Sequence, residues 1–487
     1  MTERLLQFIW RSQYFNHHEL SLENGEILRI VSPGELNAHQ GPDFLWAEVR
    51  IGDTGWFGHI ELHLRASGWK KHRHEEDGNY NNVILHVVWE NDLGGEGGEL
   101  RKGAGERRAD RPDAGSEKER DIPVLVLGHR VPKLLLGKYE EWMNSRSFVA
   151  CERQLLQVTG TGWPAEEGEI WTGWKRRLLE ERLQRKTIFI GECLKQNKQH
   201  WEETAWWLMA RNFGYPVNAG AFEAIARSLP LNILARHRTN QDQLEALLLG
   251  QGGLLEQELA EAYPRALQKE FRYLRTRYRL RPVHEPLLFL RMRPANFPAI
   301  RLSQLGSLVQ RTGSWFARTK EAMSVGELKE MLTAEAGSYW DDHYTWGKGG
   351  DICGKEGVIW TEESPEYEDG DTRRKEGEPA GKQGRVKRKK MLGESMKDNI
   401  LINTLAPLLY AYGVLRRERA CREKALRWLG EIRAEKNSLL AGWARLGIRN
   451  RHAADSQALL ELKTRYCDPK KCLGCAVGRA LLRKTAE

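Results

Sequence analysis

The chain has 487 residues, 40% of them hydrophobic with 18 Trp, and a net charge of +9. That composition excludes an intrinsically disordered chain and provides for roughly two to four packed domains. No apolar run approaches the roughly 18 residues that a transmembrane helix needs, so a membrane-spanning helix is excluded as well.

The N-terminal "MTERLLQFIW" carries internal charge and no small-residue cleavage site, so it does not read as a signal peptide, and a cytoplasmic location is expected. Seven cysteines, an odd number in a large chain, argue against a disulfide scaffold. The stretches 95–120 and 361–390 are nearly neutral as units. The positive excess therefore lies elsewhere, which suits a polyanionic partner.

Residues 1–94 are strand-rich: "EILRIVSPG", "FLWAEVRIG", "WFGHIELHL" and "NVILHVVWE" are short β-type runs between Gly, Asp and Asn turns. Residues 95–120 are low-complexity and almost without apolar side chains, a loop insertion, after which "IPVLVLGHRV" resumes as a further strand of the same sheet. From about Glu166 the apolar spacing becomes three and four, as in "EIWTGWKRRLLEERLQRKTIFIGECLKQN". A second Gly- and charge-rich insertion covers 347–396, and helices continue to the C-terminus. The expected fold is α+β, an N-terminal mixed-sheet domain followed by a mainly α-helical body. The expected divisions are 1–150, 151–346, the insertion 347–396, and 397–487 with a Cys-rich tail.

The stretch "GPDFLWAEVRIGDTGWFGHIELHL", residues 41–64, carries the densest chemistry. On a strand alternate residues share a face, so His59, Glu61 and His63 point one way while Ile60, Leu62 and Leu64 point into a core. With the turn at "GDTG", Asp43 should lie across from the region of His63 and Leu64, unless a bulge changes the register. Asp43 and Glu61 could then share one Mg²⁺ or Mn²⁺ ion, with room for water and phosphate. Pro42-Asp43 followed by Glu61-Leu62-His63 resembles the PD-(D/E)XK nuclease superfamily. That resemblance implies Asp43 and Glu61 as metal ligands and DNA as substrate. It departs from the pattern at His63, which stands in the lysine slot; a neutral imidazole there could position or deprotonate water.

Further on, "WKKHRHEEDGNY" adds His72, His74 and Asp77, with His86 on the next strand. H-x-E-x-H followed by H-x-H is a transition-metal donor set. The flanking Lys70, Lys71, Arg73, Glu75 and Glu76 read instead as an exposed loop.

In the helical part, Arg272, Arg275 and Arg279 of "FRYLRTRYRLRP" would line one helix side and track phosphates, with Arg293 and Arg301 as a further backbone grip. The tail "YCDPKKCLGC" places Cys467, Cys472 and Cys475 within nine residues. Together with Cys151 they form a set for zinc or an iron–sulfur cluster of structural role.

"GPDF" with "GHIELHL", "HVVWENDL", "RPANFPAIRLSQL", "ILINTLAPLLYAYG" and the tail together resemble an uncharacterised bacterial family, a domain of unknown function, over almost the whole chain. The reading is of a metal-dependent, nuclease-like protein acting on DNA. The alternatives are a catalytically inactive nucleic-acid-binding or scaffold protein, and a His/carboxylate metalloenzyme of another class. Oligomeric state is not legible.

Overall fold

The computed structural model describes residues 1–37, 40–93, 122–159, 169–289, 292–346 and 389–486. The insertion expected at 95–120 and most of that at 347–396 lie outside the described residues. Two compact units emerge. The first comprises Met1–Trp174, Arg445–Gly447 and Leu462–Glu487; the second comprises Lys175–Ala444 and Ile448–Glu461.

The first unit begins with α1, Glu3–Ser12, whose N-terminus is capped by the Thr2 side chain and whose Leu5, Leu6, Phe8, Ile9 and Trp10 are buried. Six strands form one sheet: β1 Leu28–Ser32, β2 Glu35–Leu36, β3 Phe44–Ile51, β4 Thr54–Arg65, β5 Val83–Glu90 and β6 Val124–Val126. Their order is β1-β3-β4-β5-β6, with β2 beside β3. β1, β3 and β4 pair antiparallel, whereas β4, β5 and β6 run parallel. The sequence of β5 explains its place, for "VILHVV" is buried at every position, as an interior parallel strand covered on both faces should be. Between β4 and β5 the chain makes α2, Gly68–Lys71, and two 3₁₀ turns, His74–Glu76 and Gly78–Tyr80. Helices α3, Lys133–Asn144, and α4, Glu152–Thr159, follow β6. The chain's last helix, Ala476–Ala486, packs on α3.

A bulge in β3 sets the register of the hairpin. From the turn inward Ile51 faces Thr54 and Ala47 faces Gly58, but Phe44 faces Ile60, one residue out of step. Trp46, at φ 60°, sits in the slip. Asp43 therefore stands opposite Glu61 rather than across from His63 and Leu64. Without the bulge it would oppose Leu62 and share the core face.

In the second unit, helices surround a deeply buried carboxylate. Glu245 accepts hydrogen bonds from Ser303 Oγ at 2.7 Å, Trp340 Nε1 at 3.0 Å, Tyr263 OH at 3.2 Å and Gln241 Nε2 at 3.2 Å. Four donors offset the cost of burying such a group, and burial still pushes its pKa up. Between segments far apart in sequence, Lys175 pairs with Asp455 at 2.7 Å, Arg182 bonds Gln457 at 2.6 Å, and Arg185 pairs with Glu461.

The two faces of β4 differ sharply in consequence. Ile60 is 0% exposed, and Phe57 is 61% exposed. Ile60→Ala should cost about 2–5 kcal/mol of stability and Phe57→Ser no more than about 0.5 kcal/mol. Chemical denaturation measures both, and equal losses would contradict this assignment of faces.

Candidate functional site

The bulge brings Asp43 and Glu61 onto one face, and the backbone ties them together crosswise. Glu61 Oε2 accepts the Asp43 N–H at 3.0 Å, and Asp43 Oδ2 accepts the Leu62 N–H at 3.0 Å. The remaining Asp43 oxygen, Oδ1, takes the Gln7 side-chain amide of α1 at 2.8 Å. Asp43 thus has both oxygens occupied within the protein, while Glu61 keeps Oε1 turned toward histidines.

Glu61 Oε1 lies 3.4 Å from His74 Nε2 and 3.8 Å from His63 Nε2. His63 Nε2 is in turn 3.2 Å from His72 Nδ1. Among the described residues, His63, His72 and His74 form the group of three metal-type donors whose ligand atoms all lie within 4.8 Å of one another. An ion with bonds of about 2.1 Å in a tetrahedral shell holds its ligands about 3.4 Å apart, so these separations match the edges of such a shell. The burial gradient fits as well: His63 is buried, His74 is 9% exposed and His72 faces solvent. The arrangement can hold an ion on one side while leaving an open side for water or substrate.

His86 completes the frame from β5, where it pairs in register with Glu61. Its Nε2 lies 2.9 Å from His63 Nδ1. A proton shared on that side leaves His63 Nε2 with its lone pair toward His72 and His74, the way a ligating imidazole is oriented by its second nitrogen. Tyr80 stacks on His74 at 3.9 Å between ring centroids, and the Trp69 ring meets both His74 and His86 at 5.3 Å. Gly68 is needed here, because a Cβ on it would come within 2.7 Å of the His63 ring.

Electrostatics keeps the cluster largely neutral. Burial, and then the Asp43 charge, push Glu61 up to about 8; burial pushes Asp43 up to about 6 against the hydrogen bonds from Leu62 and Gln7. Burial and the neighbouring His86, His74 and His72 hold His63 down to about 3, and burial with His74 holds His86 down to about 4.

The sequence-derived residues separate accordingly. Asp43, Glu61 and His63 converge, and His72 and His74, whose charged neighbours read as exposed loop, join them. Lys70, Lys71 and Arg73 are indeed exposed, yet the short α2 and the following 3₁₀ turn fold His74 back onto β4. Gln7, Trp69, Tyr80 and the role of His86 were not foreseen; a lone His within "VILHVV" was the one available signal. In the second unit, Arg272 and Arg275 are exposed on the helix Ala262–Tyr278, and Arg279 is its left-handed C-cap, beyond the last helical turn. Arg293 is exposed, whereas Arg301 is half-buried and bonded to Asn296 and to Gln304 at 3.0 Å. Cys151, Cys467, Cys472 and Cys475 all belong to the first unit.

A family model described as a protein of unknown function (DUF2851) matches residues 3–356 and 379–438. No curated protein and no solved structure matches the chain. No helix of the described residues is long and apolar enough to cross a membrane.

The raised Glu61 pKa has a signed consequence. The unfolded chain releases this proton near 4.5 and the folded chain near 8, so the folded state holds the extra proton and stability falls as pH rises through that window. Asp43 acts in the same sense only up to about 6, and His63 and His86 act in the opposite sense only below 6.5. Between pH 6.5 and 8 the metal-free wild type should therefore lose up to about 2 kcal/mol relative to Glu61→Gln. Urea unfolding of the two proteins at both pH values measures it; a constant difference would refute the buried, protonated Glu61.

Proposed function

We propose that this chain, which belongs to the DUF2851 family, is a metal-dependent hydrolase of phosphodiester bonds acting on single-stranded DNA. The observation that carries this reading is the convergence of His63, His72 and His74 with Glu61 Oε1, at mutual distances of 3.2–3.8 Å where they are closest. Three imidazoles, with a carboxylate beside them, suit Zn²⁺ or Mn²⁺ better than Mg²⁺, which prefers an oxygen shell. Bound there, such an ion would supply a polarised water and a counter-charge to phosphate.

The protein's own groups fill the other roles. Glu61, tied at Oε2 to the Asp43 N–H, presents Oε1 toward the imidazoles and can take a proton from the attacking water. His86 orients His63, and Asp43 with Gln7 fixes the position of Glu61. Exposed Lys70, Lys71 and Arg73 flank His72 and can neutralise phosphate.

The preference for an unpaired strand rests on the outer part of the same sheet face. Trp46 and Phe57 are 56% and 61% exposed, and their rings stack at 6.2 Å. Trp46 lies on this side by plain alternation with Glu48 and Arg50, and it also meets His59 at 5.3 Å. Arg50, which pairs with Arg29 on β1, lies two residues from Glu48, the partner of Phe57, so the arginines share this face. Exposed rings between cations form a surface on which bases stack while phosphates are held.

The PD-(D/E)XK resemblance is part of the same proposal. Pro42-Asp43 leads into β3, Glu61-x-His63 lies on β4, and a buried strand runs parallel to it. The difference is that His63 turns toward other histidines, which moves the ion from the carboxylate pair to the imidazoles.

With Mn²⁺ or Zn²⁺, the protein should cleave single-stranded DNA, and Glu61→Gln should lower the rate by about 10²–10⁴-fold. Cleavage by Glu61→Gln at the wild-type rate would sink the assignment, as would a wild type inert with every divalent ion. Independently of turnover, titration calorimetry should show His72→Ala abolishing tight ion binding and His86→Phe weakening it roughly 10–100-fold, with His59→Ala unaffected; a His72→Ala protein that binds the ion as wild type does would remove the three-histidine site.

A further inference from the structure

The chain ends in a second concentration of metal-type donors, separate from the histidine site in residues and in chemistry. Cys467 closes the π-helical turn Lys463–Cys467, Cys472 opens the 3₁₀ turn Cys472–Gly474, and Cys475 immediately precedes the last helix. Cys151 stands one residue before α4. Cys151 is within electrostatic reach of Cys475 and Cys472, and Cys467 is within reach of Cys475, Cys151 and Cys472. All four thiols are free of disulfides, and Cys472 and Cys475 are only 8% and 7% exposed.

Hydrogen-bond donors and cations nevertheless stand around these buried sulfurs. The backbone N–H groups of Val477 and Gly478 and the indole of Trp174 face the Cys475 sulfur, and Arg479 is near it. Lys463 is near Cys467 and Lys470 near Cys472. A neutral thiol is a poor acceptor and gains little from such donors and cations, whereas a metal-bound thiolate gains from each of them. The fold also enforces close approach, since a Cβ on Gly478 would lie 2.4 Å from the Cys472 carbonyl oxygen.

We propose that Cys151, Cys467, Cys472 and Cys475 bind one [4Fe–4S] cluster, one thiolate to each iron. A single zinc ion with bonds of about 2.3 Å would gather its four sulfurs to about 3.8 Å of one another. Among the described residues, no three of these sulfurs lie within 4.8 Å of one another, wider than one zinc ion would draw them and open to the larger core of a cluster. Binding releases the four thiol protons and exchanges buried, protonated sulfurs for coordinated thiolates. The cluster ties α4 to a tail more than half the chain away in sequence, closing a loop that is entropically costly to hold by packing alone.

The test is metal analysis of the full-length protein purified without oxygen. It should contain roughly four iron and four acid-labile sulfide per chain, with broad visible absorption that dithionite bleaches. Cys475→Ser should lose the colour and Cys193→Ser, a buried thiol of the second unit, should keep it. Stoichiometric zinc without iron would overturn the cluster, and four thiols free to react in a protein without metal would overturn the site. Should Cys475→Ser fail to fold, the iron, sulfide and zinc content of the wild type still decides.

Discussion

Asp43 and Glu61 hold each other through the backbone, each carboxylate accepting the N–H of the opposite strand at 3.0 Å. This crossed tie closes the hairpin at the point where β3 enters the sheet, and it exists only because the bulge at Trp46 slips the register by one. A strand has two faces and a period of two, so a single extra residue decides whether Asp43 belongs to the core or to the site. The positive φ of Trp46, a conformation that costs a non-glycine residue roughly 1 kcal/mol or more, is therefore bound up with the functional face. The Trp46 ring, outward by alternation with Glu48 and Arg50, stacks with Phe57 beside it. The irregularity sets the carboxylate part of that surface, and the alternation of β3 sets the aromatic part.

Neutrality is the second constraint. Two acids and two buried histidines share a small volume, and full ionisation of them all would mean several desolvated charges close together. The outcome is that both acids are pushed up and both buried histidines down. In each case burial outweighs the neighbouring charges. A buried cation would reverse the balance for the carboxylates, since opposite charge favours the ionised form, and would bind the lone pairs that the neutral imidazoles already expose. The arrangement of protons thus prepares the cluster for an ion without requiring one to keep the fold.

The strands and the α+β division were legible because alternation in "WFGHIELHL" and the continuous apolar run in "VILHVVWE" are direct images of one- and two-sided burial. The long helix Glu169–Gln196 was legible from its apolar spacing of three and four. The bulge was not, because "FLWAEV" alternates as well in either register and no glycine or proline marks the slip. The return of His74 to the sheet was not legible for a related reason, although His72 is exposed as its surroundings suggested. The exposed neighbours Lys70, Lys71 and Arg73 dominate the local composition, while the fold of two short turns, rather than any periodic pattern, returns His74 to the sheet. Gln7 and His86 reach the site from α1 and β5, and no spacing within one segment encodes such a meeting.

The first unit is built from three separated stretches of chain, and this makes its ends the weak point. Closing a loop of hundreds of residues is opposed by conformational entropy, even though that cost grows slowly with length. Non-covalent contacts of the tail are present: Trp174 meets Tyr466 edge to face at 5.1 Å, Lys463 lies over the Phe148 ring at 4.9 Å, and Lys470 bonds the Met143 carbonyl. Each is the kind of interaction worth about 1 kcal/mol or less. A set of four cysteines placed at this junction is the one local device whose strength could exceed their sum, because metal–thiolate bonding contributes to folding directly. The two donor sets also divide the chemistry by softness. Imidazole and carboxylate at the sheet favour borderline ions that exchange water, and thiolates at the tail favour centres that are held and shielded. Reactivity at an open face and permanence at a chain's closure are opposite demands on a metal, and the two proposed sites would place them on different residues.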